Sequence, residues 1–368
     1  NVEPVLVEEN KLAVLVEKFM ASEDGAFDDF DDEDLDVDIE NPEEAQKKNV
    51  KVTTTGLRDY NIITNPYLEL HDAKIDVDND IERLNAIVDT NGLAKARLEM
   101  SLTAGGTIND IGQDLLSALS TGVNENGTSL LTQKAGQSAI STISGILNTT
   151  LNGEAIFGGI NSGESPIADY ETGGPKAAVD AAFFANFGFT KDDPLASSID
   201  EAAMTDFFDN ALAPLFSAAG WTSTFSSASD DTIDARIGLN ETGEASVSAN
   251  EEGFRNVFFA SVIAAEFFSG ALSGEAKSVA AERAIGLVGA SSGQIADTQG
   301  RAGFLVNRIE KSNERMGVQI DELTAQSDQL VAVDPYEAAT RLNSLITQIE
   351  TSYTLTGRIQ QLSLMRYL

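Results

Sequence analysis

Apolar residues recur along this chain at helical spacing in two long regions, separated by a stretch with no such period. From Ile81, steps of three and four residues pass through positions 81, 84, 88, 91, 95, 98, 102, 105, 109, 112, 116, 119 and 123. Eight of these thirteen are aliphatic: Ile81, Leu84, Val88, Leu98, Leu102, Leu116, Leu119 and Val123. An apolar seam sustained over several heptads predicts a helix suited to coiled-coil packing. Gly105, Gly106 and Gly112 weaken it locally, by about 1 kcal/mol each against alanine. A turn over 124–127 ends it, and Thr128 is placed to cap a second helix. That helix runs to about Leu151 with Leu131, Ala135, Ile143 and Leu147 on one face, and Asn152-Gly153 terminates it.

In the C-terminal third, Phe304, Ile309, Met316, Ile320, Leu323 and Leu330 are spaced for a long helix. Pro335 then breaks the pattern and suits the first turn of a final helix, with Asp334 as its N-cap. This last helix, from Pro335 to about Leu364, sets Leu345, Leu355, Ile359 and Leu362 on a heptad seam with Ile349 beside it. A terminal helix without a complete N-terminal partner in the chain points to contact between subunits. The expected subunit-packing residues are Leu342, Leu345, Ile349, Leu355, Ile359, Leu362 and Leu368.

The middle reads differently. Residues 154–250 are rich in Gly, Ser, Thr, Asn and Asp, and short apolar runs such as AAFFANFGF (181–189) alternate with turn-rich pieces. This predicts a small α+β insertion with strands at about 232–249. The most apolar long stretch, FRNVFFASVIAAEFFSGAL (254–272), is interrupted by Arg255 and Glu266 and predicts a core helix, not a membrane span. The expected fold class is mainly α with an inserted α+β head: an elongated antiparallel helical coiled-coil rod that runs out, builds the head and returns. The expected divisions are an atypical segment 1–66, rod helices 67–153, the head 154–250, returning rod helices 251–333 and a polymerisation helix 334–368.

Composition narrows the chemistry. The 368 residues carry 59 acidic and 24 basic side chains, a net charge of −35, which disfavours nucleic acid and anionic membrane as partners. With no cysteine and one histidine, thiol chemistry is excluded and His-based metal sites or triads have no material, so no enzyme, metal site or cofactor is expected. Residues 23–44 hold 13 acidic side chains and no basic one, the composition of a solvated, disordered run. An acidic calcium-binding module is the alternative there, but no glycine provides the sharp turn of an EF-hand loop. His71 beside Asp72 reads as a surface histidine, and Gly158, Gly159 and Gly163 read as a turn, since they do not form a phosphate loop. Asn126, Asn148 and Asn240 match the glycosylation pattern, which is common by chance. The first residue is asparagine, so a chain processed or cut from a longer product is expected. Residues 1–20 lack the features of a secretory signal peptide.

Several separated segments resemble one family in order. VDPYEAATRLNSLITQIETSYTLTGRIQQLSLMRYL (333–368) looks like the C-terminus of flagellin-type proteins, closest to hook-associated proteins. LNTTLNGEAIFGGINSG (147–163) is similar to that family's rod-to-head transition, and IVDTNGLAKARLEMSL (87–102) and NEEGFRNVFFA (250–260) resemble family helices. The resemblance implies a structural protein exported unfolded without a cleaved signal, working outside the cell at the hook–filament junction of the flagellum. It implies self-association into a ring, with a hook-side hook-associated protein and flagellin as neighbours and an export chaperone as a further partner. Filament flagellin is the alternative, against which the LNGEAIFGGI segment and the LMRYL ending weigh. Residues 1–66 depart from the family, whose opening helix is rich in Ser, Thr and Asn. A replaced N-terminus, a fusion, or a divergent or misread gene start would each explain this.

Overall fold

The computed structural model describes residues 55–122, 129–268, 271–332 and 335–364. Two compact units divide the chain, one of residues 76–329 and one of residues 1–75 with 330–368. The acidic run 23–44, the turn at 124–127, Thr128 and Asp334 lie outside the described residues.

Two long helices frame the 76–329 unit: α1 (Thr55–Gly122) from its start and α7 (Gly274–Val331) near its end. They run antiparallel, because partners climb on one as they fall on the other. Ser327 donates to Asp78, Asn91 to Asn313, Lys95 to Glu310, Gln299 to the Leu102 carbonyl and Ser292 to Asn109. The buried face of α1 is Leu84, Ile87, Asn91, Ala94, Leu98, Ser101, Gly105, Ile108, Gly112, Leu115 and Leu119, an unbroken alternation of threes and fours. On α7 the same rhythm runs through Ala281, Ala284, Val288, Ser291, Ile295, Thr298, Ala302, Leu305, Ile309, Ser312 and Met316. Half of the predicted α1 seam is therefore displaced by one residue: Val88, Leu102 and Leu116 sit on its flank, while Ile87, Ser101 and Leu115 occupy it. Likewise Phe304 lies outside the α7 seam, exposed, with the Arg308 guanidinium 5.8 Å from its ring centroid.

The core forms around α6 (Glu252–Phe267), thirteen of whose 16 residues are buried. A helix apolar on every side needs neighbours on every side. One is α2 (Ser129–Leu147), whose buried face is Ser129, Thr132, Gly136, Ala139, Ile140, Ile143 and Leu147; the predicted Leu131 is exposed instead. At their crossing, a Cβ on Gly136 would stand 2.4 Å from the Ala265 nitrogen and 2.7 Å from the Ser261 oxygen, so the two backbones nearly touch.

After α2 the chain makes a minimal hairpin, β1 (Thr150–Leu151) with β2 (Glu154–Ala155). Asn152 (φ 54°) and Gly153 (φ 87°) form its two-residue loop, and a type I′ turn needs positive φ at both. The predicted terminator is thus a hairpin turn, and the helix stops four residues earlier than Leu151. The following segment supplies α3 (Pro175–Phe187), α4 (Glu201–Asp206), a π-helical turn (Phe207–Leu212), α5 (Ala218–Thr224), and the antiparallel pair β3 (Asp234–Gly238) and β4 (Glu241–Glu244). The π-helical turn puts consecutive Phe207 and Phe208 both into the core against Phe267. Trp221 is fully buried and stacks on Phe225 at 5.1 Å. One hydrophobic cluster joins Phe157, Phe183 and Trp221 of this segment to Leu98 and Ile309 of the long helices. Among the described residues the structure is mainly α, with two small sheets.

Polar ties hold the segment in place. Glu241 accepts from Arg308 and Arg315, one heptad apart on α7, and clamps the β3–β4 hairpin to that helix. Glu251 pairs with Arg301, another heptad back. Near the end of α6, the buried Glu266 carboxylate accepts from Tyr170 at 3.1 Å, from Lys176 at 2.9 Å and from Lys191. Burial pushes the Lys191 ammonium below its usual range, with Asp180 acting against that shift. Burial also holds the Tyr170 phenol well above its usual range, and Asp180 and Glu171 add to the effect.

Candidate subunit-packing surface

Helix α8 (Pro335–Leu364) carries the expected contact residues other than Leu368 and belongs to the second unit. Pro335 stands at its first position, where the missing N–H has no helical partner to lose. The helix is rich in threonine, which by itself favours strands. Here Thr340, Thr347, Thr351, Thr354 and Thr356 each donate to the carbonyl four residues earlier, so their hydroxyls are satisfied within the helix. With a seven-residue period, positions 342, 345, 349, 355, 359 and 362 fall within an arc of about 100°.

Along that arc Leu342 is 59 %, Leu345 55 %, Ile349 53 % and Leu355 60 % exposed. Ile346 and Tyr353, which the sequence reading passed over, extend the stripe on one side and are exposed as well. Their spacing at i+4 and i+11 from Leu342 was the available signal. Leu345, Ile349 and Tyr353 edge a shallow surface recess with Gln348, Ser352 and Thr356. Ile359 and Leu362 continue the helix backbone, beyond the residues whose side chains are described, and Leu368 lies outside the described residues. Four exposed aliphatic side chains in register on one helix present apolar area whose burial stabilises a contact by roughly 25 cal/mol per Å².

The other candidate residues have local roles. His71 and Asp72 are both exposed, with Nδ1 3.9 Å from the carboxylate, beyond hydrogen-bond distance. A Cβ on Gly158 would meet the Asn161 oxygen at 2.6 Å, and one on Gly159 (φ 60°) the Ser229 and Asp231 oxygens at 2.5 Å, so these two glycines allow a turn packed against the chain. Asn148 is occupied structurally: its amide donates to the Ile167 carbonyl and accepts from the Ile167 N–H. Asn240 is exposed between β3 and β4, and Asn126 lies outside the described residues. Among the described residues no group of three or more His, Cys, Asp or Glu could hold a metal ion, and no helix is long and apolar enough to cross a membrane.

Residues 285–368 match the family model of the bacterial flagellin C-terminal helical region. The matched stretch takes in most of α7 and all of α8. The match supports a flagellin-like protein, and with it a structural subunit of the bacterial flagellum, an extracellular appendage built by self-association. A comparison with curated proteins finds no match, and neither does a comparison with solved structures.

Proposed function

We propose that this chain is a hook-associated protein of the hook–filament junction, a non-enzymatic adaptor that joins hook to filament. The observation that carries the reading is the flagellin C-terminal match over 285–368 together with the exposed apolar stripe of α8 inside it. The LNGEAIFGG segment adds support, since its Asn152-Gly153 turn sends Ile156 and Phe157 into the core. In this reading Leu342, Leu345, Ile349, Leu355, Ile359, Leu362 and Leu368 pack between subunits of a ring. Hook-side hook-associated protein and flagellin are its axial neighbours, and an export chaperone masks the stripe beforehand. Residues 67–153 and 251–333 serve as rod, and 154–250 faces outward. Deleting the gene tests the proposal: cells keep their hooks and shed filaments into the medium. Filaments that stay attached after deletion would overturn it. The second reading, filament flagellin, is favoured by the match being to flagellin itself. Copy number separates the two, because a filament subunit outnumbers a junction subunit by orders of magnitude.

A further inference from the structure

The α1–α7 seam mixes small residues with large aliphatic ones. Ala94, Ser101, Gly105 and Gly112 on α1 share it with Ala281, Ala284, Ser291, Thr298, Ala302 and Ser312 on α7. In a heptad-patterned seam a slide of seven residues keeps seam positions facing seam positions, so a directional polar contact adds to what fixes the register. One α1 side chain in it bonds directly across to α7. Asn91 is fully buried, and its amide donates both to Asn313 on α7 at 2.7 Å and to the Ile237 carbonyl of β3 at 3.0 Å. Its Oδ1 is buried with no hydrogen-bond partner. Leaving a buried amide half satisfied is costly, and an apolar residue there would be more stable locally.

The same level divides the core. On the α1 side Ile87 belongs to a small cluster with Leu84 and Met316, and Ala94 belongs to the main cluster. On the α7 side Ile309 belongs to the main cluster, Met316 to the small one, and the buried Ser312 lies between them. Polar residues thus interrupt both helices at one height. Beyond them the seam thins out, with Ile320 and Leu323 only partly buried and Ser327–Asp78 as a polar contact at the end.

We propose that the Asn91 layer fixes the register of α1 against α7 and marks a boundary, beyond which 77–90 and 316–327 open independently of the main core. The two amide hydrogen bonds exist in one register only, because the Ile237 carbonyl is fixed by the β3–β4 hairpin and its Glu241 clamp. The small cluster cannot borrow cohesion from the large one across a polar layer, so it forms a separate unit of local unfolding.

Hydrogen exchange on the full chain tests the boundary. Amides of 77–90 and 316–327 exchange about tenfold or more faster than those of 94–119 and 288–309. In Asn91→Leu the apolar clusters merge and that ratio falls to about threefold or less. Equal protection on the two sides in the wild type would overturn the boundary, as would an unchanged ratio in the variant. For the register, the chain has no cysteine, so Thr103→Cys with Gly300→Cys places two spin labels on opposing helices. The wild type gives one narrow distance; Asn91→Leu adds a second population displaced by a heptad, about 10 Å along the axis. A single unchanged distance in the variant would overturn the register role. If Asn91→Leu does not fold, the wild-type exchange ratio still decides the boundary, and Asn313→Ala, which removes one of the two acceptors, replaces it in the distance measurement.

Discussion

Gly136→Ala adds one methyl group at the α2–α6 crossing and sets two known effects against each other. Replacing a mid-helix glycine with alanine stabilises the helix by about 1 kcal/mol. The new Cβ, however, would lie 2.4 Å from the Ala265 nitrogen, 2.7 Å from the Ser261 oxygen and 2.9 Å from the Ala264 carbon. All three are backbone atoms of a helix packed on every side, so no rotamer change relieves the overlap and the helices must separate. Overpacking of a close-packed core costs about 1–3 kcal/mol or more, and three backbone contacts place this site at the upper end. The expected net loss is about 2 kcal/mol, roughly a 30-fold fall in the folded-to-unfolded ratio. Trp221 reports it: as the only tryptophan, fully buried against Phe225, it gives a clean fluorescence change in a urea titration. Gly289→Ala, on α7 with nothing within 4 Å of its Cβ, is the matched control and raises the midpoint. A Gly136→Ala midpoint at or above wild type would refute the close-crossing argument.

Tyr170 gives an alkaline test. Its phenol pKa is raised in the folded protein above the ordinary value of 10, so its contribution is fully present below pH 10 and is lost as pH rises beyond it, where the unfolded chain ionises first. Lys191, whose pKa burial depresses, acts in the opposite sense below 10.5. In Tyr170→Phe, stability is lower by about 1 kcal/mol at pH 8 through the lost Glu266 hydrogen bond, and falls less steeply above pH 10, as urea midpoints against pH will show. Glu241→Gln weakens the clamp to Arg308 and Arg315; with these side chains about one-third exposed or more, the loss is under about 1 kcal/mol and shrinks at high salt. Leu345→Asp with Ile349→Asp leaves the Trp221 unfolding midpoint unchanged and abolishes self-association in sedimentation velocity, since both side chains are exposed in the single chain.

The long helices were legible because burial is one-sided and the heptad repeats for many turns. Their seam was only half legible. Counting aliphatic residues favours Leu102 and Leu116, yet the buried positions there are Ser101, Gly105, Gly112 and Leu115, with both predicted leucines on the flank. Composition correctly marked 254–267 as a core helix, because no exposed face can be apolar all round. The β3–β4 hairpin fell within the predicted strand region at 234–244. The π-helical turn over 207–212 and the short β1–β2 pair were not legible, since each depends on what lies opposite it in the core. For the proposed contact surface, the heptad singles out Leu342, Leu345, Ile349 and Leu355, and all four are exposed on α8. Asn91 falls on the predicted seam as a polar residue, but its partners, 146 and 222 residues away, are not legible in the sequence.

Immunogold electron microscopy of intact flagella can locate the protein within the flagellum. Antibody against residues 154–250 labels a single narrow zone where hook meets filament. Label distributed along the whole filament, or none on the flagellum, would rule out a junction protein.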